Sequence, residues 1–186
     1  MNHDVIVIGA SAGGVRALLE FVPQLPATLP ASLFIALHTP ASWNSPLPEL
    51  LSQRGALPAR HPLHQEKIEL GHVYVAPPDN HLLLRASGVV EVVRGPRENG
   101  HRPAADALFR TAAASFGSRV IGVVLSGYQT CGTAGMLSIK ARGGISVVQA
   151  PQSAEVQEMP RSVLDNVTVD HVATPAELAA LLTKLV

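Results

Sequence analysis

Residues 5–14 read VIVIGASAGG, and the fold follows from how this stretch is read. Val5, Ile6, Val7 and Ile8 are a short apolar run rich in β-branched residues, the composition of a strand buried on both faces. The run stops at Gly9, and small residues continue through Ala10, Ser11, Ala12, Gly13 and Gly14. A helical pattern begins at once, with Val15, Leu18, Leu19 and Val22 at helix spacing and Pro23 as its stop. The segment predicts strand, tight turn, helix. Three readings of the turn stand side by side. Gly9-x-Ser11-x-Gly13 fits a nucleophile elbow, with a serine hydroxyl exposed on a sharp strand-to-helix turn. Backbone N–H groups at the helix start would then face a developing oxyanion. A dinucleotide fingerprint is the second reading, but Ser11 stands where its second glycine is needed. In the third, Ser11 is an ordinary helix N-cap.

Composition narrows the classes. At 186 residues the chain is long enough for one domain with a proper core, and 47% of it is hydrophobic. Fourteen basic residues balance fourteen acidic ones, which gives no electrostatic case for a nucleic acid or an anionic membrane as partner. The single cysteine excludes an intramolecular disulfide and fits a reducing compartment. No apolar run is long enough to span a bilayer, and no secretory leader precedes the first core strand, so a cytoplasmic protein is expected.

Beyond the first turn, residues 33–37 (LFIAL) predict a second buried strand, closed by His38, Thr39 and Pro40. A dinucleotide site prefers an acidic residue near this point; a histidine stands there. In a doubly wound sheet the carboxyl ends of neighbouring parallel strands line one crevice, so His38 is placed beside Ser11, as a general base should be. A solvent-capped histidine at a strand end is the plain alternative. Ser45 and Pro46 open a helix that Gly55 ends. Residues 72–76, 81–85 and 89–93 read as three short strands of an antiparallel meander or hairpin, with turns at Pro77-Pro78-Asp79-Asn80 and Ser87-Gly88. Residues 94–102 read as a polar surface loop. A helix from Pro103 to about Phe116 carries Asp106 in its first turn, where a carboxylate suits the helix dipole. Residues 120–125 predict another buried strand, followed by a loop through Cys131 and a helix over about 132–142. A strand at 145–149, a short helix around 161–166 and an edge strand at 167–169 come next. Thr174, Pro175 and Glu177 form a capping box for the last helix. Alternating strands and helices predict an α/β fold: a doubly wound, mainly parallel sheet with helices on both faces and an antiparallel hairpin.

Taken together, these segments resemble the catalytic domain of the CheB family, the chemotaxis receptor methylesterases (protein-glutamate methylesterase/glutaminase). The likeness runs over nearly the whole chain. It rests on Ile8-Gly9-Ala10-Ser11-Ala12-Gly13-Gly14, on Leu37-His38-Thr39-Pro40 and on the stretch from Gly71 through Asn80 to Leu82. Arg102-Pro103-Ala104-Ala105-Asp106, Leu125-Ser126-Gly127-Tyr128, Gly132-Thr133-Ala134-Gly135-Met136 and Glu158-Met159-Pro160 complete it. The resemblance implies Ser11 as nucleophile on a glutamyl methyl ester and His38 as general base. It implies an oxyanion and substrate loop made by Ala12, Gly13 and the Tyr128 segment. It implies no metal or organic cofactor, and as partner the cytoplasmic helices of a methylated chemoreceptor or a related signalling protein. Because Met1 stands only a few residues before the first core strand, residues 1–186 read as a single catalytic domain without the receiver domain usual in the family.

The chain departs from the family pattern in two places. The triad aspartate before Gly-Thr-Ala-Gly is replaced by Cys131, and Ala12 replaces a threonine common beside the serine. A carboxylate fixes the histidine tautomer and stabilises the imidazolium; a neutral thiol does neither well. A thiolate at Cys131 would restore the charge but needs a depressed pKa. Another carboxylate, such as Asp165 or Glu155, is the alternative partner for His38. Two functions are therefore expected: a serine ester hydrolase with an altered Ser11–His38–Cys131 triad, or a binding module that keeps the crevice without turnover. A nucleotide oxidoreductase is a distant third.

Overall fold

The computed structural model describes residues 3–186. Its first strand, β1 (Val5–Ala10), is buried along its whole length. Ile6, Ile8 and Ala10 feed one hydrophobic core, while Val5 and Val7 feed a second on the opposite face. That is the pleat's period of two applied to a strand covered on both sides. The remaining elements are α1 (Gly14–Phe21), β2 (Ser32–Leu37), α2 (Leu47–Arg54), β3 (Ala59–Arg60), β4 (Glu66–Lys67), β5 (Val73–Val75), β6 (His81–Arg85) and β7 (Val89–Val93). They continue with α3 (Ala105–Phe116), β8 (Val120–Val124), α4 (Thr133–Lys140), β9 (Ile145–Gln149), α5 (Glu158–Asn166), β10 (His171–Ala173) and α6 (Pro175–Leu185).

The main sheet has seven strands in the order β10-β9-β8-β1-β2-β5-β3. Every pairing within it is parallel. Helices α1, α2 and α6 supply Leu18, Phe21, Leu51, Leu178 and Leu182 to the first core. Helices α3, α4 and α5 supply Leu108, Phe109, Met136 and Val163 to the second. A separate three-stranded antiparallel sheet, β4-β7-β6, adds Leu82, Leu84 and Val90 to that second core. The doubly wound α/β architecture expected from the sequence is the one observed.

Three local expectations need correction. Residues 72–76 do not join the hairpin: β5 runs parallel to β2 in the main sheet, and only β6 and β7 form the antiparallel pair. The last edge strand is β10 at 171–173 rather than 167–169. Val167 instead caps α5 and sinks into the core, and Asp170 ties the chain down through the Ser146 N–H (2.7 Å) and Lys140 Nζ (2.7 Å) before pairing starts. Residues 94–102 are also more than a surface loop, because they return over the strand ends. The capping box at Thr174 forms as expected, with the Thr174 N–H donating to Glu177 Oε2 at 2.8 Å.

Candidate active site

The connections leave β1 in opposite directions. Through α1 the chain passes to β2 on one side of it; from β8 on the other side it passes through α4 to β9. The strand order thus reverses between β1 and β8, and the carboxyl ends at such a reversal form the ligand crevice of an open α/β sheet. Ser11 is the first residue beyond β1. Its N–H donates to the Ser126 carbonyl at 2.9 Å, while the His38 N–H donates to the Ala10 carbonyl at 2.9 Å. The sheet ladder therefore brings three distant segments of chain together, and Ser11 and His38 line one cleft of about 460 Å³ with Ala12, Gly13 and Trp43.

Two side chains fix the serine turn. Ser126 Oγ donates to the Ala12 carbonyl at 2.6 Å and accepts the Val156 N–H at 2.9 Å, while its own N–H donates to Gln149 Oε1 at 2.8 Å. This buried serine holds the turn to β8 and to the loop after β9. Sequence reasoning missed it, since a serine closing an apolar strand gives no separate signal. Gly127 allows the close approach. A Cβ placed there would lie 2.6 Å from the Cβ of Ser11 and would overlap Met159 Sδ. Gly13, at φ 77°, caps α1 in the left-handed conformation that glycine adopts without strain. The N–H groups of Ala12, Gly13 and Tyr128 have no acceptor among the described residues, so donors stand unclaimed on both sides of Ser11. Tyr128 itself is 55% exposed.

His38 is unusual. Both of its ring nitrogens are buried, and neither has a hydrogen-bond partner among the described residues. Neither Ser11 Oγ nor a carboxylate, Asp165 and Glu155 included, bonds it in this state. One face of the ring is covered by His101, with ring centroids 3.8 Å apart and planes 8° from parallel. Burial, and secondarily the neighbouring His101, lowers the His38 pKa from 6.5 to about 3. The imidazole is neutral at physiological pH, with both nitrogens unclaimed and its protonated form disfavoured by burial. Catalytic hydrogen bonds are often long or unformed before substrate arrives, so the open Ser11–His38 geometry is compatible with a base awaiting its ligand.

Cys131 is fully buried in the loop before α4, against the first residues of α3. The N–H groups of Asp106 and Ala105 and the Asn99 amide favour its charged form, but burial and the Asp106 carboxylate outweigh them and push the thiol above its usual range. The thiolate route to a restored negative charge is thus opposed by its surroundings. Asp106 lies in the first turn of α3, where the sequence placed it, and has a bridging role that the sequence did not suggest. Its carboxylate accepts the Gly135 N–H at 2.7 Å and the Asn99 amide at 2.5 Å, joining α3 to α4 and to the preceding loop. Among the described residues no cluster of histidine, cysteine or acidic side chains is arranged to hold a metal ion.

Comparison with known proteins gives the family and confirms the fold. The family model for CheB methylesterase matches residues 6–182. The chain belongs to the CheB methylesterase family. A protein-glutamate methylesterase/protein-glutamine glutaminase of Geobacter metallireducens is 38% identical over 180 residues, covering 95% of this chain and 49% of its own length. A Leptospira interrogans relative, provisionally given the same name, is 36% identical and covers 100% of this chain and 96% of its own length. The chain therefore spans nearly all of one relative and about half of another. The crystal structure of the Thermotoga maritima CheB methylesterase catalytic domain superposes with a TM-score of 0.95 at 31% identity, over 100% of both chains. Membership of the CheB family explains why the serine turn, the histidine segment and the loop after β8 meet at one rim.

Proposed function

We propose that this chain is a carboxylic ester hydrolase of the protein-glutamate methylesterase type, with Ser11 as nucleophile and His38 as base. The observation that carries the reading is the shared cleft of Ser11 and His38 at the switch point of a CheB fold. In this scheme His38 takes the Ser11 hydroxyl proton as Oγ attacks the ester carbonyl carbon. The tetrahedral oxyanion forms beside the free N–H groups of Ala12, Gly13 and Tyr128. His38 then gives the proton to the departing methoxide, methanol leaves, and water repeats the sequence on the acyl-serine. A glutamine side chain would follow the same course with ammonia as leaving group. The substrate is a methylated glutamate on the helices of a cytoplasmic signalling protein of the chemoreceptor kind. The half-buried Trp43 and the exposed Tyr128 offer apolar contact to such a helix. No helix among the described residues is long and apolar enough to cross a membrane.

A second reading is favoured by the neutral Cys131 and the unpartnered His38: a module that binds the same segment without turning it over. Methanol release from a methylated receptor fragment separates the two. Under the first reading, Ser11→Ala and His38→Ala abolish release above background. A wild-type rate equal to that of Ser11→Ala, with binding of the fragment retained, establishes the second.

A further inference from the structure

We propose that His101, held in place by Gln129, is the positioning residue that fixes the His38 imidazole by face-to-face stacking, in place of the carboxylate this chain lacks. The inference rests on the proposed roles of Ser11 and His38 and goes beyond them. A base with no hydrogen bond at either nitrogen has nothing polar to set its ring orientation. Here a second ring does so, lying parallel at 3.8 Å.

The surroundings hold His101 firmly. Its Nε2 lies 3.3 Å from Gln129 Oε1, within hydrogen-bond reach. Gln129 takes a left-handed backbone conformation, φ 67°, which costs a non-glycine residue strain and tends to persist where function needs it. Its N–H is fixed by Glu158 Oε2 at 2.7 Å. On the other side, His101 and Glu98 exchange backbone hydrogen bonds of 2.9 and 3.0 Å, and the Glu98 carboxylate is clasped by Arg110 at 2.7 Å. The next residue, Arg102, is anchored to Asp79 at 2.7 Å. The charged groups linked to the His101 loop are Glu98 and Arg102 within it, Asp106 through Asn99, and Glu158 through Gln129. Glu98, Arg102, Asp106 and Glu158 each have a partner other than His38. The ring of His101 alone is stacked on it.

The test follows the imidazole and the serine separately in the whole protein. NMR titration reads the His38 ring. Reaction with a fluorophosphonate, which forms a phosphorus–oxygen bond to Ser11 and expels fluoride, reads how well the base serves the serine. His101→Ala is expected to raise the His38 titration midpoint by at least about one pH unit and to slow labelling by about tenfold or more. His101→Phe, which keeps a stacking ring, is expected to recover most of that rate. Gln129→Gly, which frees His101 while relieving the backbone, is expected to move both readouts in the same direction as His101→Ala by a smaller amount, and it serves if the alanine variant does not fold. An unchanged His38 titration in folded His101→Ala and Gln129→Gly proteins overturns the proposal. Labelling that persists in Ser11→Ala refutes the serine assignment instead, and leaves the titration to decide the stacking.

Discussion

At the scale of single residues, His38 links acid to stability. Its folded pKa of about 3 lies below the ordinary 6.5, so between these values the unfolded chain binds a proton that the folded chain refuses. The sign is therefore fixed: stability falls as pH drops through 6.5, by up to about 1.4 kcal/mol per pH unit from this residue. Denaturant melts at pH 7, 6 and 5, compared with His38→Phe, isolate the effect above the range where carboxylates titrate. A flat difference between the two proteins would show that the buried imidazole is not the cause. Cys131 carries the second prediction at this scale. An aspartate there would meet the N–H groups of Ala105 and Asp106, but also the Asp106 carboxylate. Cys131→Asp is expected to raise turnover by tenfold or more, by analogy with losses of about 10⁴ when a triad aspartate is neutralised. It should also lower the melting temperature through like-charge repulsion. No gain in a folded variant would mean that the missing carboxylate is not the limiting defect. The meeting of Ser11 and His38 in one cleft was legible in the sequence because both stand at the ends of recognisable strands. His101, Gln129 and Ser126 were not, because a stacked ring, a strained amide and a buried hydroxyl are made by the fold and leave no spacing behind.

Among the elements, the joint between the serine turn and the loop after β8 is the tightest place in the site. Gly127 has Ser11 on one side and Met159 on the other, with backbone bonds to Val156 and Met159 at 3.0 and 2.9 Å. A methyl group there must push the turn or the α5 start away. Gly127→Ala is expected to cost about 1–3 kcal/mol, as overpacking does, and to reduce Ser11 reactivity far more than global unfolding accounts for. Paired melting and fluorophosphonate labelling check this; full reactivity would show that the turn tolerates displacement. The same scale shows where pattern reading stopped. Alternation and β-branching located β1, β2, β8 and β9, yet they cannot say which strand is a neighbour of which. The run at 73–75 therefore read as part of a hairpin until the β2 pairing placed it in the main sheet. Two-residue strands such as β3 and β4 are too short to have a period at all.

For the whole molecule, one parallel sheet divides two cores, and β1 contributes side chains to both. The reversal of strand order beside it is what makes a crevice; the alternation of strands and helices announced a parallel sheet, and the pairings of β1 with β2 and β8 place the reversal. A consequence lies in the one tryptophan of the chain. Trp43 is half-buried, packs against the first core and borders the cleft that Ser11 and His38 share. Its fluorescence is thus an intrinsic optical gauge of whether that cleft is filled. An acyl ligand entering it should shift and quench the emission in proportion to occupancy, in Ser11→Ala as in the wild type, so that affinity is read apart from chemistry. Emission that stays constant while a saturating ligand binds would place the ligand elsewhere on the surface.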